Sequence, residues 1–204
     1  MLKKMASDAL GLSDVGVIIP PEDYDKTDAD DYVMHEDNEK IYFIIKTKAD
    51  EYCFTNLALI HVDGENAVSS KRLLKRYPYS QYKISNVMLE TAGRLDLDTE
   101  IKFDIGNVHF DIDVKKNQVE QLKDLYKALL RIEEITYENS IQINYAKEGL
   151  DRAVQTLQHS RSEEASLTNT YKGITEFTFE WLKSSYNEYH VKDFGTIFEK
   201  YINN

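Results

Sequence analysis

Apolar and polar residues alternate along much of the first half of the chain, and this pattern predicts β-strands. Between residues 40 and 114 the apolar residues occupy every second position or form short β-branched and aromatic runs. Glycine and asparagine, which tolerate positive φ, separate these runs at 63–66 and 106–107, so tight turns are expected there. The pattern predicts an antiparallel meander. Its strands are expected at 41–45, 52–54, 57–62, 87–89, 101–105 and 108–114.

The spacing of the apolar residues becomes helical after Asn117. They recur every three or four positions over 119–132, which predicts a helix that begins at Asn117 as its N-cap and closes the sheet. Two more stripes at helical spacing, over 143–157 and 167–182, predict an amphipathic helical hairpin with a short turn between the helices. A last apolar set predicts a short terminal helix opened by Asp193.

The predicted hairpin carries more apolar surface than two helices can hide against each other. Its aromatic residues are Tyr145, Tyr171, Phe177, Phe179, Trp181, Tyr186 and Tyr189. Such a surface needs a partner, which is either the sheet of the same chain or a second copy. We expect homo-oligomerisation. The residues predicted to mediate it are Leu167, Tyr171, Ile174, Phe177 and Trp181.

Charge is distributed unevenly along the 204 residues, which include 25 basic and 36 acidic residues and carry a formal net charge of −11. Residues 22–39 contain nine acids and one lysine, whereas residues 71–83 contain five basic residues and no acid. The net charge argues against nucleic acid as a partner, because phosphate binding requires concentrated positive charge. The basic stretch is either the solvated face of a strand, which could oppose the acidic segment, or a surface for an anionic partner. The residues of that candidate surface are Lys71, Arg72, Lys75, Arg76 and Tyr77.

The composition favours a cytoplasmic protein. Hydrophobic residues make up 42% of the chain and charged residues 30%, as in globular domains. Cys53 is the single cysteine, so an internal disulfide is impossible and nothing requires an oxidising compartment. The first ten residues lack the apolar run of a signal peptide, and no apolar run is long enough to cross a membrane.

No catalytic, metal or cofactor site is predicted. The sequence contains no phosphate-binding loop, dinucleotide-binding glycine pattern or nucleophile elbow, and its five histidines are dispersed. His109, Asp111 and Asp113 would project from one face of a strand, a geometry that can hold a metal, but they also occupy the outward positions of an alternating strand. We interpret them as that exposed face, and we expect Cys53 to be a small buried hydrophobe. The protein is therefore not expected to be an enzyme.

Four segments match a known family in order and spacing. The segments that resemble the bacterial pleckstrin-homology-like (PH-like) family are Tyr52-Cys53-Phe54-Thr55-Asn56, Leu59-Ile60-His61-Val62-Asp63, Tyr77-Pro78-Tyr79-Ser80 and Glu90-Thr91-Ala92-Gly93-Arg94-Leu95-Asp96-Leu97-Asp98-Thr99-Glu100. The resemblance covers residues 1–133 and implies an α+β fold, a PH-like antiparallel barrel or sandwich of about seven strands closed by a C-terminal helix. Residues 134–204 resemble the YvbH-like oligomerisation region, which implies an α-helical hairpin and a ring-like or other homo-oligomer. The resemblance implies no enzymatic activity, cofactor or established ligand.

Two departures from the family pattern argue against binding of membrane lipid. Basic residues commonly follow the Phe-Thr strand ending in this family, whereas Leu57 and Ala58 stand there in this chain. The loop at 46–51 corresponds to the basic loop of phosphoinositide-binding relatives, and its two lysines are offset by two acids. Fold membership does not carry a ligand with it.

The sequence supports two hypotheses of different classes. The first is a non-enzymatic interaction protein whose hairpin drives homo-oligomerisation, with another protein as a further partner, so that weak contacts of several barrels combine by avidity. The second is a binding module that takes an anionic small molecule, a lipid headgroup or an extended peptide on the barrel.

Overall fold

The structure is a computed structural model that describes residues 15–64, 72–91, 98–158 and 167–202. The chain divides into two compact units. Met1–Glu134 and Lys192–Asn204 form the first, which we call the barrel unit, and Ile135–Val191 forms the second, the hairpin unit. The end of the chain thus belongs to the barrel unit, whereas the family resemblance groups residues 134–204 as one helical extension.

The described part of the barrel unit contains eight strands in two antiparallel sheets. The strands are β1 (Val17–Ile18), β2 (Ile41–Lys46), β3 (Glu51–Thr55), β4 (Ala58–Gly64), β5 (Arg72–Pro78), β6 (Ile84–Glu90), β7 (Asp98–Ile105) and β8 (Val108–Lys115). The first sheet has the order β1-β2-β3-β4-β5 and the second the order β6-β7-β8, so consecutive strands within each sheet are neighbours. The predicted antiparallel meander and the α+β fold class are confirmed.

The short strand β1 ties the first sheet to the last strand of the second. Gly16 donates its N–H to the carbonyl oxygen of Asp113 at 2.7 Å and accepts the N–H of Lys115 at 3.0 Å. A Cβ atom at Gly16 would lie 2.7 Å from Cγ2 of Ile45, so glycine permits this close approach. The sequence did not predict β1, because two residues are too few for an alternating pattern to be recognised.

The side chain of Gln118 also binds β1, through two hydrogen bonds with the backbone of Ile18. The Ile18 N–H donates to Oε1 of Gln118 at 2.9 Å, and Nε2 of Gln118 donates to the carbonyl oxygen of Ile18 at 3.0 Å. Gln118 ends the 3₁₀ helix Lys116–Gln118, and the long helix α1 (Val119–Gln158) follows directly. Asn117 therefore lies inside a 3₁₀ helix, where the sequence pattern predicted an N-cap.

The interior of the barrel is a cluster of aromatic rings closed by the first part of α1. Phe54 packs against Phe103 with 5.9 Å between ring centroids, and Phe103 stacks on Phe110 at 5.1 Å. The residues at helical spacing that are fully buried on α1 are Leu122, Leu125, Ala128, Leu129 and Ile132. This apolar stripe confirms the predicted closing helix.

The other face of the first sheet is covered by the acidic segment. Ile44, Cys53 and Ile60 are cross-strand neighbours on this face, and all three are buried. Ala29 and Val33 of the acidic segment belong to the same apolar cluster. The 3₁₀ helices of this segment are Pro21–Lys26, Ala29–Tyr32 and His35–Asp37. The acidic segment is therefore packed on the barrel.

In the second part of the chain, α1 continues without a break and has 40 residues in all. The stripes at 119–132 and 143–157 predicted two helices, and they form one, because no glycine or proline interrupts residues 119–148. The second helix of the hairpin unit is α2 (Leu167–Tyr189). Among the residues that the structure describes, no helix is both long and apolar enough to cross a membrane.

The terminal helix α3 (Gly195–Ile202) packs on the barrel through aromatic side chains. The carboxylate of Asp193 accepts the N–H of Gly195 at 2.7 Å, so Asp193 opens the helix as predicted. Phe198 is fully buried and stacks on Tyr42 with 5.4 Å between ring centroids. This burial is the physical reason why the end of the chain belongs to the barrel unit.

Tyr42 gives this contact a pH dependence. Burial, and then the hydrogen bond from its hydroxyl to Oε1 of Glu199 at 2.9 Å, raise the pKa of Tyr42 from 10.0 to about 12. The folded protein therefore holds this proton more tightly than the unfolded chain does. The resulting stabilisation is complete below about pH 10 and is lost as the pH rises through about 12. Between about pH 10 and pH 12, the free energy of unfolding of Tyr42→Phe should therefore fall less than that of wild type.

Urea unfolding at a series of pH values between about 9 and 12 measures this slope. Tyr137→Phe is the control, because Tyr137 is 66% exposed and lies in the hairpin unit. The control should lose stability at the wild-type rate. Equal slopes for wild type and Tyr42→Phe would show that the Tyr42 hydroxyl does not contribute.

Candidate functional site

Exposed aromatic side chains are concentrated on α2. Tyr171, Phe177 and Trp181 are 71%, 65% and 47% exposed. Phe177 and Trp181 lie one helical turn apart and stack, with 6.2 Å between ring centroids, and we call this pair the aromatic ridge. Apolar side chains left exposed in a cluster mark a candidate interface.

The residues predicted to mediate oligomerisation have different surroundings in the structure. The three aromatic members, Tyr171, Phe177 and Trp181, are exposed, whereas Ile174 is half-buried. Leu167 begins α2, but its side chain lies outside the described residues. The aromatic members are therefore the ones available for contact with a second copy.

A groove with apolar walls lies between α1 and α2 and encloses about 570 Å³. Its lining residues, which define the apolar groove, are Ile143, Ala146, Lys147, Phe179, Leu182, Lys183, Ser185 and Tyr186. Phe179, Leu182 and Tyr186 are spaced by three and four residues, so they project from one side of α2. The ammonium group of Lys183 lies 5.9 Å from the ring centroid of Phe179, which places a positive charge at an aromatic wall.

A smaller groove of about 300 Å³ lies on the other side of the helix pair. Ala146 and Ser185 line both grooves, so they mark the line along which the helices meet. The other residues of the smaller groove are Gln142, Tyr145, Trp181, Ser184, Glu188 and Tyr189. Since successive helical residues turn by about 100°, Trp181 and Phe179 lie on opposite sides of α2. The aromatic ridge thus borders the smaller groove and faces away from the apolar groove.

Phe179 and Tyr186 belong to the aromatic surface that the sequence predicts to need a partner, but neither they nor Leu182 are among the five residues predicted to mediate oligomerisation. Their spacing is also the pattern of a buried helix face, so the spacing alone does not identify them as exposed. The structure leaves all three exposed. The sequence does show that apolar residues occupy more than one face of α2. A single neighbouring helix covers only one of these faces, so some apolar residues must stay exposed.

The basic residues of β5 are paired with acids. The ion pairs are Arg72 with Asp28 at 3.7 Å, Lys75 with Asp63 at 2.7 Å and Arg76 with Glu39 at 2.9 Å. The interpretation in which the basic stretch opposes the acidic segment is confirmed for Arg72 and Arg76. Tyr77 is buried, and Lys71 lies outside the described residues. Binding of an anionic partner to this surface stays a prediction.

Glu39 is the buried member of these pairs. Its side chain has no exposed surface, and its carboxylate accepts the N–H of Met34 at 2.9 Å and the hydroxyl of Thr55. Arg76 supplies the charged partner. The carboxylate therefore joins the acidic segment to β3 and β5, and removal of Arg76 would leave a buried charge without its counter-charge.

The ion pair between Lys75 and Asp63 lies nearer the surface, and its two charges offset each other. The hydrogen bond between them raises the pKa of Lys75 and lowers the pKa of Asp63. Both groups are therefore charged at neutral pH, and the carboxylate offsets the positive charge that Lys75 could offer to an anionic ligand.

The side chains considered for catalysis or metal binding are buried or contact other side chains. Cys53 is fully buried, and burial raises the pKa of its thiol, which disfavours the nucleophilic thiolate. Nδ1 of His109 lies 2.6 Å from Oδ1 of Asp104, whereas Asp111 lies 3.5 Å from Nζ of Lys102. Within the described ranges, no group of three or more His, Cys, Asp or Glu side chains could hold a metal ion.

Similarities to known proteins extend over both units. Residues 9–133 match the bacterial PH domain family, and residues 144–204 match the YvbH-like oligomerisation region. The protein YvbH of Bacillus subtilis (strain 168) is 72% identical over 204 residues, which cover 100% of each chain. The protein YjqA of the same organism is 32% identical over 97 residues, which cover 47% of this chain and 76% of YjqA.

A crystal structure gives the same result for the fold. It is that of a PH-domain-containing bacterial protein from Exiguobacterium sibiricum 255-15, which is 52% identical and superposes with a TM-score of 0.85. The similarity covers 93% of this chain and 100% of that chain. With its two-sheet barrel closed by α1 and its helical hairpin, the chain belongs to the bacterial PH domain family and carries a YvbH-like oligomerisation region.

Proposed function

We propose that the protein is a non-enzymatic scaffold that self-associates through its hairpin unit and displays several barrels together. The aromatic ridge carries this proposal, because its two large rings stay exposed on a helix that already packs against another. The match of residues 144–204 to an oligomerisation region supports the same role. Barrels held together in this way would bind a partner with repeated sites, for example another protein, by avidity. The single, buried cysteine favours a cytoplasmic location for this scaffold.

The alternative hypothesis, a ligand site for anionic groups on the barrel, has less support. Arg76 and Lys75 each already contact a carboxylate, and Tyr77 is buried. An incoming anionic ligand would have to displace Glu39 and Asp63 from these contacts. Glu39 is buried and also accepts hydrogen bonds from Met34 and Thr55, so its displacement would disrupt the barrel.

Replacement of the ridge tests the proposal. Phe177→Ala combined with Trp181→Ala should lower the native mass, because the substitutions remove the exposed rings that would be buried between copies. The barrel should stay folded, since both residues lie in the hairpin unit. Size-exclusion chromatography with light scattering measures the mass, and urea unfolding monitors the stability of the barrel.

Leu73→Ala is the matched control for loss of exposed apolar surface. Leu73 is exposed on β5, in the barrel unit, and its replacement should leave the native mass at the wild-type value. If the ridge variant also keeps the wild-type mass, the ridge does not mediate self-association.

A further inference from the structure

We propose that the apolar groove binds a free fatty acid of medium chain length, with the carboxylate of the ligand held by Lys147 and Lys183. All residues that line the groove belong to the hairpin unit. The volume of about 570 Å³ lies within the range of sites for small molecules. Binding at this site does not depend on the proposed self-association, because the aromatic ridge faces away from the groove.

The walls of the groove suit an alkyl chain. Apolar side chains come from both helices, with Ile143 and Ala146 on α1 and Phe179, Leu182 and Tyr186 on α2. Phe179 and Tyr186 lie two helical turns apart, so the apolar wall of α2 is about 10 Å long. The three side chains of α2 are exposed, and an apolar ligand that covers them removes this surface from water. A linear chain that lies along the groove would therefore be stabilised by burial.

Positive charge flanks the same groove on both helices. Lys147 belongs to α1 and Lys183 to α2, and none of the described residues that line the groove is acidic. The ammonium group of Lys183 lies over an aromatic ring, and neither lysine forms an ion pair with an acid that the structure describes. The basic residues of β5, in contrast, each contact a carboxylate already. An anionic head group can thus bind the groove without displacing an acid of the protein.

The charges favour a single-chain carboxylate over a membrane surface or a second copy as the occupant of the groove. The net charge of −11 repels an anionic membrane, which carries many charges, more strongly than a ligand with one charge. If the grooves of two copies met, Lys147 and Lys183 of both copies would come together, and juxtaposed like charges oppose association. A free fatty acid supplies an apolar chain for the walls and one negative charge for the lysines.

Calorimetric titration of the full chain with decanoate, below its critical micelle concentration, tests this binding. We expect saturable binding of one decanoate per chain. Octanoate should bind about fifteenfold more weakly, because it lacks two methylene groups and each buried methylene contributes about fourfold to affinity. Decyltrimethylammonium has a similar chain and the opposite charge, so it should show no saturable binding. Equal affinities for decanoate and decyltrimethylammonium would overturn the inference.

Two double variants assign the binding to the groove. Phe179→Ala with Tyr186→Ala removes two rings from the wall and should lower the affinity for decanoate by at least tenfold. Phe177→Ala with Trp181→Ala is the matched control, because it removes two rings from the other side of α2 and should leave the affinity unchanged. All four side chains are exposed, so both variants should keep the wild-type far-ultraviolet circular dichroism. Equal affinities of the two variants for decanoate would overturn the inference.

A third double variant tests the role of the lysines. Lys147→Met with Lys183→Met should lower the affinity for decanoate by about tenfold and leave the binding of uncharged 1-decanol unchanged, since methionine keeps the apolar stem. Lys123→Met with Lys127→Met is the control. It makes the same change in net charge on the part of α1 that belongs to the barrel unit, and it should bind decanoate as wild type does. Equal losses in the two variants would mean that the lysines of the groove do not hold the carboxylate, which would overturn the inference.

Two further outcomes identify the other possible occupants. Co-sedimentation of the wild-type chain with phosphatidylglycerol vesicles, lost in the variant without Lys147 and Lys183, would indicate a membrane surface and overturn the inference. Decanoate binding by the variant without Phe177 and Trp181, but not by wild type, would show that a second copy covers the groove, and it would also overturn the inference. A monomeric wild type that binds decanoate would refute the proposed scaffold function and leave the fatty-acid site standing.

Discussion

Phe198→Ala is expected to lower the free energy of unfolding of the barrel unit by about 3 to 5 kcal/mol, the usual cost of truncating a buried phenylalanine. The side chain has no exposed surface and stacks on Tyr42 at 5.4 Å between ring centroids. It also contacts the ring of Tyr79 at 6.2 Å. Alanine would leave a cavity between α3 and the sheet that neither tyrosine can fill, and it would weaken the attachment of the terminal helix.

Phe177→Ala is the matched control, because the same substitution is made at a residue that is mostly exposed. It should change the unfolding free energy by less than about 0.5 kcal/mol. Urea unfolding in dilute solution measures both variants, since self-association adds a concentration-dependent term to stability. Equal effects of the two substitutions would contradict the docking of α3 on the barrel.

Arg76→Met is expected to destabilise the barrel unit by about 3 to 5 kcal/mol, because it leaves the buried carboxylate of Glu39 without its charged partner. Methionine retains an apolar side chain of similar length, so the loss reports the charge rather than the packing. Urea unfolding at neutral pH measures the effect. The acidic segment should be the first part to loosen, since Glu39 connects it to β3 and β5.

Lys75→Met is the control on the same strand. Its ion pair with Asp63 is partly exposed, so its loss should cost less than about 1 kcal/mol. Combining Arg76→Met with Glu39→Gln removes both charges and should cost less than the sum of the single substitutions. Additive effects would mean that the two side chains do not interact.

The alternating and helical patterns predicted most of the fold, because each reports a local preference. The strands β2, β3, β4, β6, β7 and β8 and the closing helix follow from the spacing of apolar residues, whereas β5, most of whose side chains are exposed or half-buried, was not among the expected strands. Asp193 opens α3 because its carboxylate can accept a free N–H of the first turn. The division between α1 and α2 also follows from the pattern. The continuity of α1 does not, because two separate stripes are compatible with either one helix or two.

The features that the sequence did not predict depend on contacts between distant residues. Gly16 links β1 to β8 through two backbone hydrogen bonds, which leave no trace in side-chain spacing. The packing of Phe198 on Tyr42 joins residues 156 positions apart. The apolar pattern of α3 predicts a buried face, but it does not indicate which residues cover that face. The apolar groove arises in the same way, since Ile143 and Phe179 lie on different helices.

The packing of α3 also determines how the hairpin should be tested. A chain that ends after Glu134 would lose the hairpin unit and, with it, the buried ring of Phe198. Loss of assembly in such a chain could not be separated from loss of barrel stability. Substitutions on the aromatic ridge leave α3 in place, so they affect one property at a time.

The native mass of the intact chain, measured by light scattering or sedimentation over a range of concentrations, tests the central claim most directly. The exposed aromatic ridge predicts a defined species whose mass is an integral multiple, greater than one, of 23.7 kDa. A mass of 23.7 kDa at every concentration would contradict the scaffold function.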